Sequence, residues 1–66
     1  MLFRFDAIAS LNRGLELNPQ NANARYYLVL VYLSLGDRTK AQSLANELRS
    51  INPDRADLAQ KRIDGQ

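Results

Sequence analysis

Ala22-Asn23-Ala24-Arg25-Tyr26-Tyr27-Leu28-Val29-Leu30-Val31-Tyr32-Leu33-Ser34-Leu35-Gly36-Asp37 is the stretch on which the fold turns. From Tyr26 to Leu33 every residue is apolar or aromatic. The types favour strands, and periodicity alone cannot separate a buried strand from a buried helix. Length and flanks decide. Asn21 is a good helix N-cap, Ala22, Ala24 and Arg25 accept helical geometry, and Gly36 suits the residue that follows a helix. A lone strand would also find no partner strand elsewhere in the chain. The stretch predicts a helix over 22–35, buried on most of its circumference.

Outward from it, the chain is punctuated by Asn18-Pro19, by Ser34 to Asp37, and by Asn52-Pro53-Asp54, all turn and boundary signals. They leave helix-length segments at about 3–17, 22–35, 38–51 and 55–64. The two Asn-Pro marks stand 34 residues apart. At that offset Arg4 matches Arg38, Ala7 matches Ala41, Asn12 matches Asn46 and Ala22 matches Ala56. The chain therefore carries a faint internal repeat.

Each flanking segment reads as an amphipathic helix. In the first, Ile8, Leu11 and Leu15 share a face. Ala7, Ser10 and Gly14 form a second stripe, whose small residues let another helix come close. In the third, Asp37 serves as N-cap and Ala41, Leu44, Ala45 and Leu48 mark the buried face. In the fourth, Asp54 is the expected cap. Ala56, Ala59 and Ile63, with Leu58 beside them, make its apolar stripe, and Asp57 and Lys61 stand in the favourable i, i+4 order. The fold class is all-α, with about four helices.

Composition bounds what such a fold can do. The 66 residues make one small domain. A chain this short hides only about 60% of its unfolded surface, so it has little stability to spare. It contains no Cys and no His, which removes disulfides, zinc–cysteine sites and imidazole catalysis. No cofactor is expected. The net charge is +2, and the basic residues are scattered, with Lys61-Arg62 the one basic pair. That argues against nucleic acid as a partner. The Tyr26–Leu33 run is far too short to span a membrane, so no membrane insertion is expected. No signal peptide is visible, because Arg4 and Asp6 interrupt what would be its apolar region. The cytoplasm is the default compartment.

The punctuated 34-residue unit resembles the tetratricopeptide repeat. The matching residues are Ala22, Ala24, Tyr26, Leu28, Tyr32, Gly36-Asp37, Ala41 and Pro53. The resemblance implies a stack of antiparallel helical hairpins. Residues 1–21 would be the second helix of a partial unit, 22–55 one complete unit, and 56–66 a capping helix. The chain departs from the pattern in four places. Arg25 replaces a large apolar residue, Val29 a Gly or Ala, and Gly14 and Leu48 each a usual Ala. Val29 should hold the second and third helices apart unless Ala45 makes room.

The inventory argues against an enzyme. Asp54 and Asp57 are the one carboxylate pair at helical spacing, and capping explains them better. The three glycines are isolated, so nothing cradles a phosphate. The resemblance implies instead a protein-interaction module whose first helices line a groove for a peptide or partner helix. The positions matching that lining are Asn23, Tyr26, Leu30, Leu33 and Ser34. A plainer reading stands beside it, in which Tyr26, Leu30 and Leu33 are core beneath a neighbouring helix or subunit. Asn23 is the sole groove residue of the kind that grips a terminal carboxylate, which argues against a carboxylate clamp. The small stripe of Ala7, Ser10 and Gly14, flanked by Phe3, is expected to mediate self-association. A two-fold homodimer is its simplest product.

Overall fold

The computed structural model describes residues 3–65, with side chains of the first helix placed from Ala7 onward. Among these residues the chain forms four helices: α1 (Phe3–Leu17), α2 (Ala22–Ser34), α3 (Arg38–Arg49) and α4 (Pro53–Asp64). The apolar run of Tyr26 to Leu33 is helical throughout. Short turns at 18–21, 35–37 and 50–52 make successive helices antiparallel, so α4 runs parallel to α2.

One side chain fixes each of the last three helix starts. The Oδ1 of Asn21 accepts from the Ala24 amide at 3.1 Å, and that of Asp37 from the Lys40 amide at 3.0 Å. At α4 the expectation of an Asp54 cap is corrected. Asn52 is the cap, accepting from the Arg55 amide at 3.1 Å, and Pro53 opens the helix. Proline suits that position because the first amides of a helix have no intrahelical acceptor. Asp54 falls in the first turn instead, where a negative charge faces the positive end of the helix. The two Asn-Pro marks thus do different work. Pro53 begins a helix, whereas Pro19 lies in a turn whose Asn18 Oδ1 accepts from the Gln20 amide.

The end of α2 follows from Gly36, which has φ +84°. Its amide donates to the Leu33 carbonyl and the Asp37 amide to the Tyr32 carbonyl, at 3.0 and 2.9 Å. This paired pattern closes a helix around a left-handed residue, a conformation glycine adopts freely.

The main core lies between α2, α3 and α4. Val29, Ala41, Ala45, Leu48, Ala56 and Ala59 are wholly buried, and Tyr26, Leu33 and Ile63 nearly so. Ala41, Ala45 and Leu48 form the face expected for α3. Val29 and Ala45 are both fully enclosed in that core. On α4, Leu58 departs from its expected place in the stripe and is 48% exposed. Asp57 pairs with Arg49 of α3 at 2.9 Å, an acceptor for a different helix than the expected Lys61 partnership. Gln42 and Gln60 exchange two amide hydrogen bonds, at 2.7 and 3.0 Å, and set α4 against α3. Arg25 acts as a tie. Its guanidinium donates to Glu47 of α3 and to the Pro19 carbonyl of the α1–α2 turn.

Helix α1 packs on α2 alone among the described elements. Ala24 and Leu28 of α2 are buried yet lie outside the α2–α3–α4 cluster, which places them under α1. Ile8, Leu11 and Leu15 are half-buried, and no described side chain of α1 is fully enclosed.

Candidate functional site

Three neighbours take three sides of α2. Ala24 and Leu28 turn to α1, while Tyr26, Val29 and Leu33 turn to the core shared with α3 and α4. What remains is a stripe at i, i+4, i+7 and i+11: Asn23, Tyr27, Leu30 and Ser34. Asn23, Tyr27 and Ser34 are exposed and Leu30 is half-buried. Tyr27 is 51% exposed, a large aromatic surface for a helix enclosed on its other sides.

Beneath and beside the stripe the side chains are held in place. The Tyr26 ring meets that of Tyr27 edge-on, with centroids 5.6 Å apart and planes at 66°. The Arg55 guanidinium lies 5.4 Å from the Tyr26 ring centroid, a cation–π arrangement. At the other end Leu30, Leu33, Ser34 and Arg62 line a depression of about 300 Å³. Its floor is apolar and its rim carries a hydroxyl and a guanidinium. The Ser34 Oγ donates to the Val31 carbonyl at 2.7 Å.

A larger depression of about 470 Å³ lies between α3 and the end of α4, lined by Arg38, Thr39, Gln42, Ser43, Asn46 and Ile63. Most of its lining residues are polar types whose apolar atoms form much of the wall, and its Gln42 amide is committed to Gln60 and Asn46. The α2 stripe carries an exposed aromatic ring, Tyr27, and is the better candidate.

The groove residues expected from the sequence separate on the structure. Leu30, Leu33 and Ser34 converge on the small depression, and Asn23 stands at the opposite end of the stripe. Tyr26 and Leu33 are largely core, covered by α4. Sequence reasoning missed Tyr27 and Arg62. Tyr27 was visible in principle, as the residue that completes the helical spacing from Asn23 to Ser34. Arg62 comes from another helix and left no local signal.

Of the expected self-association stripe, Phe3 lies outside the described side chains. Ala7 is half-buried and Ser10 exposed. Gly14 faces the chain's own α2, where an added Cβ would lie 3.9 Å from the Ala24 Cβ. Among the described residues no three acidic, His or Cys side chains gather as metal ligands would. No described helix is long and apolar enough to cross a membrane.

The family model for the tetratricopeptide repeat matches residues 6–63, nearly the whole chain. The chain belongs to the tetratricopeptide repeat family. Comparison with curated proteins and with solved structures returned no match. Tetratricopeptide repeats generally serve as non-catalytic protein-interaction modules, and the four-helix architecture of this one is of that type. Helices α2 and α3 form an antiparallel hairpin, with α1 before it and α4 after it.

Proposed function

We propose that this tetratricopeptide repeat binds a peptide or partner helix along the α2 stripe of Asn23, Tyr27, Leu30 and Ser34. Tyr26 and Leu33 form the floor beneath. The observation that carries the reading is the 51% exposure of Tyr27 on a helix that has neighbours on its other sides. An exposed aromatic held by a neighbouring ring is the kind of anchor that dominates interface energetics. The partner is a protein. Catalysis has no part in this reading.

Selection of displayed random peptides on the immobilised protein tests it. Selected peptides should lose at least about tenfold in affinity for Tyr27→Ala, a loss typical of an interface anchor. The melting curve of that variant should hold. Peptides that bind Tyr27→Ala as well as the native chain would rule the stripe out.

A second reading rests on α1, which touches α2 alone and keeps Ile8, Leu11 and Leu15 half-exposed. In it, a second copy packs over α1 and the apolar surface serves self-assembly. Sedimentation across a dilution series distinguishes the two. A dimer that separates only on unfolding favours self-assembly, and a stable monomer favours the peptide groove.

A further inference from the structure

We infer that the partner seated on the α2 stripe is acidic: an apolar segment whose carboxylates are received by Arg55 and Arg62 of α4. This rests on the interaction reading above and adds the chemistry of the partner.

Charge is distributed unevenly around the stripe. Helix α2 contains no acidic residue, and its one charge, Arg25, is committed to Glu47 and the Pro19 carbonyl on the α3 side. The side facing α4 is bordered by two guanidiniums. Arg55 lies over the Tyr26 ring, and Arg62 stands on the rim of the Leu30–Leu33–Ser34 depression. Neither has a carboxylate partner among the described residues. The acids of α4 are engaged elsewhere: Asp57 with Arg49 of α3, and Asp64 as acceptor from Gln60 within α4. Asp54 remains, exposed in the first turn. It shares its face with Lys61, seven residues on, which offsets it.

Spacing makes the arrangement specific. Arg55 and Arg62 are two helical turns apart, a rise of about 10 Å. Because α4 runs parallel to α2, that interval lies alongside Tyr27 to Ser34. Carboxylates two turns apart on a helical partner, or about three residues apart on an extended one, match it. Each arginine presents a planar fork of donors suited to a carboxylate. A partner side chain seated between Tyr27 and Leu30 would screen those pairs from water and strengthen them.

The test uses a displayed library of random peptides, selected in parallel on the native chain, on Tyr27→Ala, and on the Arg55→Glu/Arg62→Glu double variant. Native selection should enrich Asp and Glu over Lys and Arg. Synthesised binders should weaken several-fold between about 50 and 500 mM salt, as screening predicts for exposed pairs. The double variant, with its helical spectrum retained, should select Lys and Arg instead. Should the reversal unfold the chain, Arg55→Gln/Arg62→Gln serves in its place and should abolish the bias. If binders show no acidic bias, or the same bias on the charge variants, the arginines merely cover the core and this inference falls. The groove reading survives that outcome where Tyr27→Ala loses the binders. If Tyr27→Ala keeps them, or if nothing is enriched at all, both fall together.

Discussion

At the residue scale, two glycines demand opposite things of a methyl group. Gly36 sits at φ +84° with nothing within 4 Å of an added Cβ, so a substitution there meets backbone strain and no steric clash. Gly36→Ala should cost about 1–2 kcal/mol, the penalty of the left-handed region for an L-residue, and Gly36→Val more. Gly14 is mid-helix, and its added Cβ would make ordinary contacts at 3.7 Å with Asn21 Nδ2 and 3.9 Å with Ala24. Gly14→Ala should stabilise by up to about 1 kcal/mol through helix propensity. Urea denaturation of both variants checks the pair, and shifts of the same sign would contradict it. Gly36 was legible in the sequence because the Ser-Leu-Gly-Asp context is itself the instruction to end a helix. Gly14 was read as a point of close approach. Whether a glycine leaves room for one carbon depends on where another helix lies, and local sequence does not carry that.

At the element scale, α3 declared itself and α2 did not. With polar residues on one side of α3, the alternation names Ala41, Leu44, Ala45 and Leu48 as its buried face; Ala41, Ala45 and Leu48 are fully enclosed, and Leu44 is half-buried against the same core. Ala41→Phe should therefore overpack the α2–α3 contact and cost about 1–3 kcal/mol or more. An unchanged melting temperature would show the register to be wrong. Helix α2 is apolar nearly all round, so its pattern holds no phase. The choice between Tyr26 and Tyr27 as the outward ring needed the positions of α1 and α4. The start of α4 gives a sharper trial, because two residues competed for one role. Asn52 holds the cap bond and Asp54 only the dipole position. Asn52→Ala should cost about 1 kcal/mol, and Asp54→Ala a few tenths. Thermal melts that reverse that order would return the cap to Asp54.

At the scale of the whole molecule, the helices form a slab of 29 × 28 × 14 Å measured over Cα atoms. Its thin dimension corresponds to two helix layers, since the Cα atoms of one helix span about 5 Å and packed helix axes lie about 8–10 Å apart. Every helix is thus near a surface, and a helix with a single neighbour has weak support. That helix is α1, which among the described elements touches α2 alone and has no fully enclosed side chain among those described. Its local opening should need less free energy than global unfolding, because it uncovers Ala24 and Leu28 of α2 but leaves the main core closed. The α2–α3–α4 unit, tied by its alanine contacts and the Gln42–Gln60 pair, should open as one. Amide hydrogen exchange should accordingly find α1 least protected and those three helices alike. Repeating it over a wide range of concentration separates the two readings of the open apolar face. A second copy seated on α1 would bind only its docked state, so protection there should rise with concentration by mass action. A chain that works alone gives α1 the same protection at every concentration. Equal protection of all four helices in dilute solution would contradict the weak attachment of α1 itself.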